Sequence, residues 1–368
     1  MNNQNDRYIC SPYLTKHPHL KGKLVNRLPY QIISLTDQQF EVLRYCGVER
    51  DYIDLVRSYG EEPLRKLIDK GLLLPSDRRW IVNKISKVEI ETSTVCDWKC
   101  RYCPGAYIKR EPKYMDMDFF EDILKKTLDY GARFITLHGY NEPTIDPLFE
   151  QRVRLIKKYN LKLILFTNGS GLNDRLIQML KDTNVLYSVV FNFPSADKDR
   201  LKAITGRDTL DKTCGIINKT ICAGIRVKLS LQGTLESQRF ELESVKKLFP
   251  SVEIITAATH DRAGALKNQY DNNLDIKSSH LAGCNFILTD FHIGIDGECY
   301  LCLEDSQKKY IMGNIKTNTI AEIVESDVAI LLKKVIWGEI EAPKNFICRK
   351  CIIMKGAFLE EKLYNGAE

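Results

Sequence analysis

Three cysteines, Cys96, Cys100 and Cys103, stand in VCDWKCRYCPGAY directly after an apolar β-type run. A C-x3-C-x2-C loop offers three thiolates to a four-iron cube and leaves one iron without a protein ligand, so that iron is a reaction site. Tetrahedral structural zinc matches less well, because it needs a fourth nearby ligand and none lies within the loop. A second set, Cys284, Cys302, Cys348 and Cys351, is spread over a hairpin and a closing C-x2-C turn. Four thiolates saturate a cube and suit electron transfer or a structural role; zinc on four cysteines is the competing reading. Cys299-x2-Cys302 leaves the place of Cys299 open.

The first loop, with the aromatic Tyr102 before its third cysteine, resembles the signature of the radical S-adenosylmethionine (SAM) superfamily. The resemblance implies that the open iron chelates the amino and carboxylate groups of SAM. It implies too that the reduced cluster, fed by a flavodoxin- or ferredoxin-type donor, cleaves SAM to a 5′-deoxyadenosyl radical that takes hydrogen from an unactivated C–H bond. HGYNEP, residues 138–143, is similar to the superfamily's Gly-Gly-Glu-Pro motif, which assigns Gly139, Asn141, Glu142 and Pro143 to SAM and Glu142 to its amino group; Tyr140 and Asn141 replace smaller residues there. FTNG, residues 166–169, adds Asn168 near the adenosine or the methionyl carboxylate, against the plain reading of Asn-Gly as a turn. Ser230 and Gln232 are candidates to reach the ribose.

The second cysteine set resembles the short twitch form of the SPASM domain, which carries one auxiliary [4Fe–4S] cluster. EDSQKKYIMGNI after Cys302 is similar to the matching stretch of radical SAM dehydrogenases of aminocyclitol biosynthesis, whose four-cysteine arrangement leaves Cys299 out. That likeness covers the barrel and the C-terminal region but not residues 1–82. In those relatives an arginine in an R-x-G context lies at the substrate. The corresponding THDRAGAL assigns Arg262 to orient or deprotonate a substrate hydroxyl, or to hold a carboxylate; the plain alternative is an arginine tying the barrel to the cluster domain.

The elements that must position these residues follow from pattern. KVEIETS, RFITLHG, LKLILFTNG, LYSVVFN, IRVKLSLQ and VEIIT alternate with amphipathic stretches such as FFEDILKKTLDYG. Six strands with intervening helices predict a parallel sheet with right-handed crossovers, and the resemblance implies a partial (β/α)6 barrel with its chemistry at the C-terminal strand ends. Residues 1–82 read as a small winged-helix-like module: TDQQFEVLRYC, RDYIDLVRSYG and EEPLRKLIDKGLLLP give three helices and a hairpin-like end, with Thr36 and Gln39 as a capping box. In peptide-modifying relatives such a module grips a precursor's leader; the bland alternative is a packing domain. The fold class is α/β in three parts: 1–82, the barrel at 83–265, and the auxiliary domain at 266–368. That last part opens with the hairpin FILTDFHIGIDGECYLCLED around Asp296-Gly297, followed by a helix near 319–335.

With 368 residues, 44% hydrophobic and 28% charged, the chain has room for several packed cores. The net charge of +6 is spread without a basic stripe, which argues against nucleic acid. MNNQNDRYICSPYL lacks signal-peptide features and no apolar run reaches a membrane span, so a cytoplasmic protein is expected. In that compartment clustered cysteines among the twelve bind metal more often than they form disulfides.

Two substrate classes follow. A precursor peptide would be crosslinked or otherwise oxidised, with the auxiliary cluster accepting the second electron. A sugar, aminosugar or aminocyclitol would be dehydrogenated or, with a thiol hydrogen donor such as Cys299 or Cys222, epimerised. Because every candidate ligand lies beyond residue 95, the N-terminal module reads as separable from both clusters.

Overall fold

A computed structural model describes residues 6–16, 24–27, 30–81, 83–266 and 275–355. Residues 1–5 of the N-terminal stretch, Val82 at the first boundary, and residues 267–274 and 356–368 of the C-terminal part lie outside the described residues. The chain packs as two compact units: Met1–Lys84 with Leu274–Thr289 and Val324–Glu368, and Ile85–Asn273 with Asp290–Ile323. Packing therefore divides the chain differently from the three-part reading, and the stretch 266–368 contributes to both units.

The first unit begins with four short strands, β1 (Arg7–Cys10), β2 (Leu14–Lys16), β3 (Leu24–Arg27) and β4 (Tyr30–Ile33). Then come α1 (Asp37–Tyr45), β5 (Arg50–Asp51), α2 (Tyr52–Tyr59), α3 (Glu61–Asp69) and β6 (Leu73–Pro75). The three helices and the capping box form as the pattern predicts: Thr36 Oγ1 accepts from Gln39 N–H, and Gln39 Oε1 from Thr36 N–H. Their apolar faces meet around Val42, Cys46, Leu55, Leu64 and Leu67, all fully buried. The strands pair as two antiparallel sheets, β5-β1-β6 and β2-β3-β4. The early strands are absent from the sequence reading because runs of three or four residues are too short for alternation to show. Further along, the helix expected near 319–335 is two, Ile320–Val324 and Asp327–Ile336, with Ser326 Oγ capping the second through Ala329 N–H.

The second unit contains the six predicted parallel strands: β7 (Lys87–Ile90), β8 (Phe134–Thr136), β9 (Lys162–Thr167), β10 (Leu186–Asn192), β11 (Val227–Gly233) and β12 (Glu253–Ala258). They stand side by side in chain order, the arrangement of a partial (β/α)6 barrel wall. Helices follow the strands in turn, α4 (Met117–Tyr130) after β7 and α5 (Phe149–Lys158) after β8, with Asp116 capping α4. The hairpin predicted around Asp296-Gly297 also forms, as β13 (Asp290–Ile293) and β14 (Glu298–Tyr300), with Gly297 at φ +89° where a side chain would be strained. It extends the barrel sheet: β13 runs parallel to β7, and β15 (Ile311–Asn314) completes nine strands.

Candidate functional site

The loop after β7 carries the first three cysteines and is stitched to the end of the helix Lys198–Thr205. Lys99 N–H donates to Thr205 O at 2.8 Å and Arg101 N–H to Ile204 O at 2.9 Å. Arg207 Nε–H holds Asp97 O at 2.7 Å. Trp98, Cys100 and Tyr102 are buried together, with Cys96 and Cys103 packed against them. Gly105 is required here, because a Cβ would lie 2.9 Å from Tyr140 Cβ. All three thiols line a cavity of about 230 Å³ at the C-terminal strand ends, with Gly139, Asn141 and Glu142 on a second wall, Asn168 beside them and Arg262 at another edge. Ser230 and Gln232 also line it; Pro143 is buried just behind, opening a 3-10 turn.

These residues fit an iron–sulfur cluster. Three thiols reach one cavity, and the buried Trp98 indole N–H has no acceptor among the described residues, an orphaned donor of the kind a sulfide-rich group satisfies. Burial pushes the Cys96 thiol up to about 12 and Cys100 higher still, so the thiolates that ligation needs would form only with metal present. Among the described residues no three His, Cys, Asp or Glu side chains gather as they would around a single metal ion, whereas the thiolates of a cube each reach a different iron.

Glu142 is 2% exposed and its carboxylate is fully engaged. Oε1 accepts from Thr144 N–H at 2.9 Å and from the Thr144 and Thr167 hydroxyls at 2.6 Å each, and Oε2 accepts from Asn168 N–H at 2.6 Å. Glu142 thus binds the loop after β8 to the loop after β9, while its own N–H donates to Val95 O beside Cys96. Burial raises its carboxyl pKa, with the bonds from Asn168, Thr144 and Thr167 pulling the other way. Asn141 turns inward, accepting from Gly139 N–H and donating to Leu137 O. Asn168 Nδ2 donates to Asp97 Oδ1 at 3.0 Å, and Ser170 Oγ donates to the same oxygen at 2.9 Å. Asp97 and Ser170 therefore clamp the cysteine loop, and sequence reasoning misses them because short polar residues in loops carry no pattern.

Arg262, Ala263 and Gly264 all have left-handed backbones, φ +50°, +51° and +91°, a tight turn that lays Arg262 along the cavity. Its Nη1 donates to Glu304 Oε1 at 2.9 Å and its Nε to Tyr102 O at 3.4 Å. Glu304 Oε2 lies 3.0 Å from His260 Nε2, whose Nδ1 lies 3.1 Å from Ala258 O. Burial pulls the guanidinium's pKa down, but Glu304, Tyr140 and Cys103 more than offset it and the net direction is upward. A guanidinium keeps its proton in proteins, so orienting a hydroxyl or holding an anion suits Arg262 better than deprotonation. Burial lowers the His260 pKa, yet Glu304 raises it beyond that. Glu304 gave no sequence signal except its place two residues after Cys302.

Below the cavity the inner face of the sheet is charged, an unusual content for strands buried on both faces. Lys87 pairs with Glu89 and Asp290 at 2.6 Å, and Glu91 accepts from Arg110 at 2.5 Å and Lys308 at 2.8 Å. His138 Nε2 and His292 Nδ1 stand 3.5 and 3.3 Å from Glu89 Oε2, neither aligned to hydrogen-bond it. Alternate charges at 87, 89 and 91, in and just after an otherwise apolar strand, were the available signal.

Of the second cysteine set, Cys302 belongs to the barrel unit and Cys284, Cys348 and Cys351 to the other. Cys348 lies in the 3-10 turn Ile347–Lys350, with Cys351 N–H donating to Cys348 O at 3.3 Å. Cys299 is fully buried in β14, its Sγ 3.6 Å from Gly297 O. Neither Cys299 nor Cys222, exposed at the end of the helix Leu210–Cys222, lines this cavity.

Comparison with known proteins adds five findings. The radical SAM superfamily model matches residues 90–235, and the model of SPASM, an iron–sulfur cluster-binding domain, matches residues 284–352. The chain is 23% identical over 271 residues to the S-adenosyl-L-methionine-dependent 2-deoxy-scyllo-inosamine dehydrogenase of Niallia circulans, covering 72% of this chain and 92% of that one. It is 29% identical over 142 residues to a probable GTP 3′,8-cyclase of Sulfurisphaera tokodaii, covering 39% of this chain and 45%, under half, of the cyclase. In fold it is similar to Streptococcus suis SuiB bound to precursor peptide SuiA, with TM-score 0.57 and 13% identity, over 88% of this chain and 89% of that one.

Proposed function

We propose, from the premise that this chain is a radical SAM enzyme with a SPASM iron–sulfur domain, that it modifies a ribosomally made precursor peptide, forming a crosslink or another oxidised product. Its cofactors are SAM and two [4Fe–4S] clusters. Cys96, Cys100 and Cys103 would hold the first cluster, and Cys284, Cys302, Cys348 and Cys351 the second. When bound, the first cluster would supply the electron that splits SAM, and the second would accept the one electron that the substrate radical, losing a proton, gives up to become the oxidised product.

The protein's own residues position and shield. Glu142, through its four donors, fixes the two loops on which Gly139, Asn141, Pro143 and Asn168 present SAM. Asp97 and Ser170 lock the cysteine loop to Asn168. Arg262, held by Glu304, supplies a fixed positive charge for a substrate carboxylate or carbonyl.

One observation carries the peptide reading: a hollow of about 430 Å³ on the N-terminal module, lined by Glu41, Arg44, Tyr45, Val48, Arg50 and Tyr59. Val48 is 57% exposed, Tyr45 is 43% exposed, and the Arg50 guanidinium lies 4.1 Å over the Tyr45 ring. Arg50 belongs to β5, an outer strand of its sheet, where an extended leader can add by main-chain bonding while the arginines take acidic side chains. A second reading, dehydrogenation of an aminocyclitol or aminosugar, is favoured by the 92% coverage of the inosamine dehydrogenase and by the polar wall of Asn192, Ser230 and Gln232.

The test uses a fluorescein-labelled peptide from a short reading frame beside the gene. It should bind the full-length chain, and Arg50→Glu should weaken binding at least tenfold and reduce peptide modification, leaving uncoupled 5′-deoxyadenosine release unchanged. If no such peptide binds and Arg50→Glu oxidises an aminocyclitol at the wild-type rate, the second reading replaces the first.

A further inference from the structure

The first 81 residues and the segments carrying Cys284, Cys348 and Cys351 belong to one packed unit. The joint between them is built around Tyr13, which is 1% exposed. Its ring meets Trp80 and Trp337 edge-on at 6.1 and 5.0 Å, and its hydroxyl donates to Arg79 O at 2.9 Å. Trp337 in turn covers Gly283, the residue before Cys284. A Cβ on Gly283 would lie 2.4 Å from the indole, and its φ of +93° is one that favours glycine. Arg27 stacks over the same indole at 5.5 Å.

Polar bonds brace these rings. Glu339 accepts from Arg79 Nη2 at 2.6 Å and Trp80 Nε1 at 3.1 Å, and Lys333 Nζ donates to Trp80 O at 3.0 Å. From there a zipper runs to the last two cysteines. Gly283 N–H donates to Ile336 O at 2.9 Å and Ala342 N–H to Ser279 O at 2.7 Å. Ile276 N–H bonds Arg349 O at 2.8 Å, and Arg349 Nη2 bonds Ile276 O at 2.9 Å. Arg349 sits between Cys348 and Cys351.

We propose that Tyr13, Arg79 and Trp80 are positioning residues of the auxiliary cluster: the N-terminal module holds the backbone that presents Cys284 against Trp337, and is no separable appendage. Distance along the chain suggests the opposite, since no candidate ligand lies before Cys96. The physical reason is burial. Removing Trp80 would empty a ring-sized space beside Tyr13 and strip Glu339 of a donor, and Tyr13 is the ring that packs on Trp337, against which the turn at Gly283 rests. A peptide seated on the module would then act on a body that includes three auxiliary ligands. The inference rests on those cysteines holding the cluster.

The experiment uses the full-length chain with Cys96, Cys100 and Cys103 all changed to alanine, so that the auxiliary cluster is its only iron. Iron content, the electron paramagnetic resonance signal of the reduced cluster and its midpoint potential are measured after anaerobic reconstitution. The parent should hold about four irons, and Cys348→Ala should lose most of them. Trp80→Ala should lose more than half, and Tyr13→Phe, which keeps the ring but not the bond to Arg79, should shift the signal and potential while its melting temperature stays near the parent's. Asp54→Ala, exposed on the same module, should change nothing. Full iron with unaltered signal and potential in both Trp80→Ala and Tyr13→Phe would overturn the inference. Retention of iron by Cys348→Ala would instead overturn the ligand set on which it stands.

Discussion

Replacing Glu142 by glutamine is the sharpest probe of the candidate SAM site. The carboxylate accepts four bonds, three at Oε1 and one at Oε2. An amide nitrogen cannot accept, so in either orientation at least one backbone N–H, of Thr144 or of Asn168, faces another donor; the two threonine hydroxyls can reverse, the N–H groups cannot. A buried donor left unmet costs about 1–3 kcal/mol. Against that, the neutral amide escapes the burial cost that raises the Glu142 pKa. The net loss should be about 2 kcal/mol, which lowers the melting temperature by about 4–8 °C for a unit of this size. Because the same bonds set the loops carrying Gly139 and Asn168, SAM affinity should fall at least tenfold, about 1.4 kcal/mol. Anaerobic scanning fluorimetry and equilibrium dialysis with labelled SAM measure the two effects. A variant melting within about 1 °C of wild type and binding SAM equally well would refute the assignment of Glu142 as the anchor of these loops.

Two further outcomes are expected. Cys299→Ser should keep all of the iron and lose about 1 kcal/mol of stability, since the thiol is a buried filler touching Gly297 O, whereas Cys302→Ser should lose the auxiliary cluster; equal iron loss in both would place Cys299 among the ligands. Burial lowers the Lys333 ammonium from 10.5 to about 8, with Glu325 opposing. A lowered lysine pKa means that the folded chain sheds its proton first, so stability should rise between about pH 8 and 10.5 by up to roughly 3 kcal/mol. Lys333→Met should flatten that slope in chemical denaturation curves, and an identical slope in the variant would show that the side chain titrates normally.

Much of this site is legible in the sequence because its elements are local. The C-x3-C-x2-C loop, HGYNEP and FTNG each follow a strand whose apolar run is visible, and a parallel sheet places successive strand ends side by side, so they line one cavity. Thr36 and Gln39 announce their helix for the same reason: a capping box needs only four residues. What stays hidden depends on distant partners. Glu304 matters through His260 and Arg262, Asp97 through Asn168, and Gly283 through Trp337, none of which shares a motif. The strands β1 to β4 are too short for periodicity, and the pairing of β13 with β7 joins segments that nothing local connects.

Asp290 of β13 stands against Lys87 of β7, with about two hundred residues between them in the chain. On the ribosome, therefore, the first strand of the barrel waits with one edge bare until almost four-fifths of the protein has emerged, and the N-terminal unit waits longer for the segment that begins at Val324. Such long-range closure is slow and exposes pairing edges and apolar faces along the way. A nascent chain of this topology should depend on holdase chaperones, and its iron should enter late, after release. Truncation near residue 285 should then leave an aggregating barrel with an uncovered first strand, which a pulse-chase solubility assay would detect as a loss far larger than the missing mass suggests.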